Sequence, residues 1–299
     1  MRQVSRRLGR LVMLAAVIAA ALIVLRHFAE EAALPFQAPA VGVVDVRGLI
    51  TNSDDVVSAL ERFRTSETIG AVVLRVDSPG GAVAPAQEIY GELARLREAK
   101  SVVASLGSLA ASGGYYIASA CNSIVANPGT LTGSIGVIMA VHNLEELANW
   151  AGIRETVIKS GPYKDIANPL RRLKPEEQAL LQNMVDEVHS QFVADVAAGR
   201  HMTEEEVRKL ADGRLYSGAQ AREIGLVDHL GGYEEALRIA ADAAGIEGEP
   251  RTIWARTRSW PWWVDLLGRM AGPGTGDWVN PGLPDGLLIL YLGRDVEFR

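Results

Sequence analysis

Cysteine, histidine and lysine are scarce in this chain of 299 residues, and each scarcity removes a possibility. A single cysteine, Cys121, cannot close a disulfide within the chain. It lies in an apolar stretch and reads as a small buried hydrophobe. With one cysteine and five histidines, no cluster has metal-ligand spacing, so neither a zinc site nor any other cofactor is expected. A surplus of basic charge is also missing. The net charge of −6 spreads no positive field over the molecule, which argues against nucleic acid as a partner. What is present, 48% hydrophobic and 22% charged residues, describes a folded protein of one domain with extensions.

The N-terminus carries Arg2, Arg6, Arg7 and Arg10, followed by an uncharged run from Leu11 to Leu25. About 15 apolar residues is short for a membrane span and also fits a signal-peptide core. Against cleavage, Arg26, His27 and Phe28 stand where small residues would be needed, and Ala38-Pro39-Ala40 is distant and carries a proline. Arginines at both ends can snorkel and lengthen the span. The favoured reading is an uncleaved transmembrane anchor over 11–26. The basic residues before it keep 1–10 in the cytoplasm and put the body outside.

From Val41 the chain alternates short Val/Ile-rich runs with helical patterns. "VGVVDVRG", "AVVLRVDS", "SVVASLGS" and "SIVANP" read as buried strands. Between them, Asp54–Arg64 and Ala84–Arg97 read as helices, the second with Ile89, Leu93 and Leu96 on one face. Strands joined by crossover helices imply parallel pairing, hence an α/β fold. A long helix is expected from Pro175 to about Gly199. Ser217 and Gln220 open a shorter one with a capping box, and a last helix ends at Gly245. The character changes after residue 247, where Trp254, Trp260, Trp262, Trp263 and Trp278 crowd among glycines and prolines. That tail, 247–299, reads as an appendage, either an interfacial aromatic belt or a segment packed on its own body.

One stretch poses a chemical question. In "SLGSLAASGGYYIASA", Ser112 opens a short helix, Gly113 to Ala120, after a strand and turn. Free N–H groups at a helix start can hold an oxyanion, and glycine lets substrate approach the backbone. Serine at such a place is also an ordinary N-cap. A nucleophile needs a base. His27 belongs to the membrane edge, His189 and His201 to the long helix, and His229 precedes a Gly-Gly turn. His142 lies near a strand end, with no carboxylate motif beside it. Lysine is more telling. Where positive charge alone is wanted this chain uses arginine, 25 times against five lysines. Arginine cannot shed its proton, whereas a desolvated lysine can. Lys100, Lys174 and Lys209 are explained by solvated faces. Lys164, in the Gly-Pro turn of "IKSGPYKDI" after an expected strand, is not.

Taken together, "DSPGG", "AASGGYYIA", "TLTGSIGV", with its serine 22 residues beyond Ser112, and "KSGPYKDI" resemble the bacterial signal peptide peptidase A family. The resemblance runs from about Val41 to Ile246 and includes "MVDEVHSQFV" and "GRLYSGAQAREIGLVDHLGG". It implies a membrane-bound serine protease of the Clp-protease/crotonase fold, its protease domain spanning 41–246. It further implies Ser112 as nucleophile, Lys164 as general base and Ser134 as the hydroxyl that orients the lysine. The oxyanion donors would be the N–H groups of Gly81 and Gly113. Substrates would be apolar signal-peptide remnants, bound as an added strand beside "GGAVAP". Longer relatives carry two copies of the fold, with lysine in one and serine in the other. A single-copy chain is therefore expected to form a homo-oligomeric ring with active sites shared between protomers. Two rivals remain in view: a crotonase-type acyl-CoA enzyme, and a non-catalytic membrane-tethered scaffold whose serine is only a cap.

Overall fold

Strands that are apolar at nearly every position must be covered on both faces, and this sheet is. The computed structural model describes residues 39–255 and a short strand at 288–289. The segment 1–10, the anchor expected at 11–26 and the tryptophans from 260 onward lie outside the described residues. Among the described residues, no helix is long and apolar enough to cross a membrane.

The chain runs β1 (Ala40–Arg47), α1 (Asp54–Thr65), β2 (Ile69–Ser78), β3 (Gly81–Ala82), α2 (Val83–Ala99), β4 (Ser101–Ala111) and α3 (Gly113–Ser119). There follow β5 (Ser123–Ala126), β6 (Leu131–Gly133), α4 (Glu145–Trp150), α5 (Pro175–Arg200) and α6 (Glu204–Leu210). The last elements are β7 (Leu215–Ser217), α7 (Gly218–Glu223), β8 (His229–Leu230), α8 (Tyr233–Ala243), β9 (Thr252–Trp254) and β10 (Leu288–Ile289).

Among the described residues, eight strands form one sheet. Its main path is β7-β6-β4-β2-β1-β9, with β5 on β4 and β8 on β5. Pairing is parallel except for β6 with β7, as crossover helices require. The sheet takes three residues from beyond 247, because Thr252–Trp254 lies parallel to Val41–Val43. Strand β4 is long enough to serve two neighbours. Val103–Leu106 pairs with β5, while Leu109–Ala111 pairs with β6 and carries the chain straight into Ser112.

Alternation along the strands sorts the core. Val44, Val46, Val72, Leu74, Val76, Val102, Ala104 and Leu106 join one cluster with residues of α1, α2, α3 and α5. Val41, Val43, Ala71, Val73 and Val103 point the other way, against Ala236, Leu237, Ala240 and Ala241 of α8. Each large side chain so buried contributes about 1.5–3 kcal/mol. Cys121 sits in the first cluster at 1% exposure, and burial pushes its thiol up to about 12.

Local signals place the helix ends. Ser217 accepts from the Gln220 N–H and donates its own N–H to the Gln220 side chain, the expected capping box. Gly225 and Gly245 follow α7 and α8 with φ of 80° and 66°. Lys100 departs from expectation. It is not on a solvated face: its ammonium donates to the Phe63 and Ser66 carbonyls at the end of α1, and burial lowers its pKa.

The tyrosines of "GGYY" anchor the short helix. Tyr115 donates to the Leu226 carbonyl, and Tyr116 to Asp195 of α5. Tyr90 of α2 stacks on Tyr116 at 4.8 Å and donates to the Asp195 carbonyl. Burial raises all three phenols, so they remain donors. On the same side α5 presses on α3 so closely that a methyl group at Gly199 would stand 2.1 Å from the Ser119 carbonyl oxygen. Gly199→Ala should therefore destabilise the fold by about 1–3 kcal/mol despite its better helix propensity. The denaturant midpoint measures this, and an unchanged or raised midpoint would refute the contact.

Candidate active site

Ser112 is the hinge between β4 and α3, and its backbone is abnormal. Its φ of 53° and ψ of −121° belong to a region that glycine tolerates and serine does not. Such a residue costs about 1–3 kcal/mol and persists where its surroundings over-determine it. They do so here. The Ser112 N–H donates to the Gly133 carbonyl at 2.9 Å, and the Ser112 carbonyl accepts from Tyr116 at 2.8 Å. The side chain is fully buried, and among the described residues its Oγ has no hydrogen-bond partner. Nor does the hydroxyl cap the helix. A buried hydroxyl left unmatched is costly in a structural role.

The backbone of Gly81 lies beside it. A Cβ built on Gly113 would meet Gly80 Cα at 3.2 Å and Gly81 N at 3.3 Å. The turn before β3 is fixed by Ser78, which donates to the Gly48 carbonyl at 2.6 Å and accepts the Gly80 N–H at 3.1 Å. Ile50 holds β3 from the far side, accepting from Ala82 at 2.8 Å and donating to Gly80 at 2.9 Å. A methyl on Gly81 would lie 2.1 Å from the Ile50 carbonyl oxygen, so this position admits no side chain.

Ser134 neighbours Ser112 across the β4–β6 pairing. It too has positive φ, 50°, and is buried, its N–H donating to the Arg214 carbonyl at 2.8 Å. It opens onto a cavity of 360 Å³ lined also by Ile138, Asp186, His189 and Asp212. Among the described residues, no group of three or more His, Cys, Asp or Glu could hold a metal ion.

Four of the five expected site residues, Ser112, Gly113, Gly81 and Ser134, thus come together. Lys164 does not join them. It is exposed on the arm between β6 and α5, and the Ser112 hydroxyl receives no bond from it. The strand expected before its turn is absent too, since 153–159 runs without a strand partner.

A buried, strained serine at a strand-to-helix turn, flanked by glycine backbone, is the geometry of an acyl-transfer nucleophile. Comparison with known proteins supplies a family. Residues 94–247 match the model of peptidase family S49. The chain belongs to that family.

Among relatives, a Synechocystis sp. protein that bears the name of a protease is 53% identical over 59% of this chain and 64% of its own length. Protease 4 of Salmonella typhi is 38% identical over 65% of this chain and 31% of its own. An Enterococcus faecium protein named for signal peptide peptidase A is 37% identical over 62% and 54%. In each case the match spans less than two thirds of the relative. The S49 match and these names place the chain beside the proteins called protease 4 and signal peptide peptidase A, with an α/β fold. Ser112, Ser134 and Lys164 fall inside the matched region, and Gly81 before it.

The S49 arm is held by charge. Arg171 donates to both Glu177 oxygens at 2.7 Å, to Asp165 Oδ2 at 3.1 Å and to the Asp165 carbonyl at 2.8 Å. Lys159 adds a bond to Asp165 and one to the Pro162 carbonyl, closing the turn around Lys164. Hydrogen bonds from Arg171 hold both carboxyls well below their usual range, at about 2. Sequence reading missed this clamp. Glu177 had a signal, two residues past a helix-starting proline, whereas Arg171 had none. His189, on the wall of the cavity beside Ser134, was set aside with the long helix.

Two outcomes follow from this geometry. Ser112→Gly should be more stable than Ser112→Ala by about 1–2 kcal/mol, because glycine relieves the backbone while both lose the hydroxyl. Equal stabilities in denaturant would remove the strain. The clamp has an acid limit. Carboxyls depressed from 3.8 and 4.5 to about 2 stabilise the arm fully above pH 4.5 and lose that contribution as pH falls towards 2. Amide exchange at Ile166 and Asn168 should therefore stay protected at pH 5 and, corrected for intrinsic rate, rise steeply below pH 4. Loss of protection near pH 6 would assign the arm to a histidine.

Proposed function

We propose that this S49 peptidase is a membrane-anchored serine endopeptidase that degrades cleaved signal peptides and other apolar peptides through a Ser112–Lys164 dyad. The observation that carries the reading is the buried Ser112 Oγ, unpartnered in a strained turn beside the Gly81 amide. The Lys164 amine, in its neutral form, takes the Ser112 proton as Oγ attacks the scissile carbonyl. The Gly81 and Gly113 N–H groups hold the oxyanion, each worth roughly a hundredfold or more in rate. The departing amine takes the proton from Lys164, and water then hydrolyses the acyl-enzyme. Ser134 orients the lysine.

The base arrives from a second copy. Lys164 is exposed on an arm that also shows water Trp150, at 86% exposure, and Ile158, at 96%. Apolar residues gathered on an extended arm favour contact with another chain. A ring of such contacts would set Lys164 of one protomer beside Ser112 of the next. The arginines of 1–10 keep the N-terminus cytoplasmic and the catalytic body outside.

Lys164→Arg should lose more than about nine tenths of peptide turnover, because guanidinium keeps the charge but accepts no proton. Lys209→Arg, on the exposed face of α6, is the control. For the shared site, Ser112→Ala and Lys164→Ala chains, each inactive alone, are co-assembled in equal amounts. Intact pairs at random interfaces should restore roughly a quarter of wild-type sites. Mixed assemblies with no restored activity would sink the sharing and leave the dyad standing, whereas an active Lys164→Arg would sink the dyad.

A further inference from the structure

Lys164 stands beside a closed set of four charges. Lys159 and Arg171 both bond Asp165, the residue after Lys164, and Arg171 also holds both oxygens of Glu177 in the first turn of α5. Two positive and two negative groups are thus balanced next to the proposed base. Both carboxylates are shielded from water, the Asp165 side chain at 10% exposure and that of Glu177 at 1%, although the arm around them exposes apolar residues. Carboxylates reach such burial only when paired.

The clamp also fixes where the base-bearing turn stands. Glu177 lies near the start of α5, and Asp195 of the same helix accepts from Tyr116 of α3. At 1.5 Å per residue the two are roughly 27 Å apart. One helix therefore carries the Lys164 turn at its start and grips the helix after Ser112 near its end. Arg171 joins that turn to this strut.

We infer that Arg171 is a positioning residue for the general base: it ties the Lys164 turn to α5 and cancels the Asp165 charge beside the amine. This rests on the dyad reading above. An amine serves as a base only when neutral, so charge left beside it decides the pH at which turnover begins. An uncancelled carboxylate holds the ammonium and moves activity to higher pH, and an uncancelled guanidinium does the opposite. One unit charge about 7 Å away across a partly hydrated interface is worth roughly half a pH unit. Both carboxyls, held at about 2, stay ionised wherever a peptidase would be assayed. Other charged groups stand nearby. Glu145, Arg154 and Glu155 border the cavity behind the clamp, Arg172 pairs with Glu145 and Glu146, and Lys174 flanks Glu177. Asp186, His189 and Asp212 line the cavity beside Ser134, where the shared site would bring the amine. The variants below leave all of these in place.

The full-length assembled protein is assayed on an internally quenched apolar peptide from about pH 6 to about pH 10. Arg171→Gln leaves carboxylate in excess, and Glu177→Gln leaves guanidinium in excess. Both should lower kcat about tenfold or more, with KM within about twofold. Their pH–rate profiles should move apart, Arg171→Gln by about half a unit to higher pH and Glu177→Gln by about as much to lower pH. Arg171→Lys keeps the charge but cannot span both carboxylates, so it should lose kcat with its profile unmoved. Arg238→Gln breaks ion pairs on α8, on the opposite face of the sheet, and should change neither.

Profiles that stay in place, or move the same way in both glutamine variants, overturn the inference, because a merely structural tie has no sign. An unchanged kcat in both overturns it too. If Arg171→Gln does not assemble, the direction of the Glu177→Gln shift decides alone. Failure of both to assemble makes the clamp structural and overturns the positioning role. Lys164→Arg is run beside them. If it stays active, the dyad reading falls and takes the role of Arg171 with it. If it is inactive while the profiles stay in place, the dyad stands and only the role of Arg171 is lost.

Discussion

Between the first turn of α3 and the segment Ser78–Ala82 there is no room for a side chain. Methyl groups at Gly113 and Gly114 would meet Gly80 Cα at 3.2 Å and the Ser78 carbonyl oxygen at 2.7 Å, and one at Gly81 would meet Ile50 at 2.1 Å. Three layers of bare backbone are stacked there. The stack sets the Ser112 turn against the Gly81 amide, and the rest of the fold keeps it closed. Tyr115 and Tyr116 pin α3 to the body through Leu226 and Asp195, and Gly199 lets α5 close over the other side. Glycine's entropic cost is tolerated because only glycine permits the approach.

The strain at Ser112 belongs to the same constraint. Strand β4 ends on its pairing with β6, and α3 must begin at once to reach the stack. The residue between has no favourable backbone to adopt. Glycine would relax there, but glycine has no hydroxyl. On the proposed reading, chemistry and stability want different residues at this one position, as is common where a fold holds a reacting group.

Much of this was legible in the sequence, for identifiable reasons. The helices at Asp54, Val83, Pro175 and Tyr233 announce themselves by period, proline and glycine punctuation. The strands β1, β2, β4 and β5 do so by continuous Val/Ile runs. Ser112, Gly113, Gly81 and Ser134 sit in short glycine-bearing motifs. The misses have one cause in common: they depend on partners that neither helix periodicity nor capping patterns register, whether six residues away or across the fold. Lys100 looked solvated because the carbonyls it caps, Phe63 and Ser66, lie on another helix. Arg171 is one of 25 arginines until Asp165 and Glu177 are seen on either side. Strand β9, at the end of the main sheet path, is too short for periodicity to register and is recruited by the free edge of β1.

Cys121 carries a consequence that has nothing to do with catalysis. Its thiol is buried in the main core and held protonated, pushed up to about 12, so neither thiolate nor oxidant meets it in the folded state. With no second cysteine in the chain, no crosslink stands to be gained or lost. The fold is therefore indifferent to redox potential, and the same core is as stable in a reducing compartment as in an oxidising one.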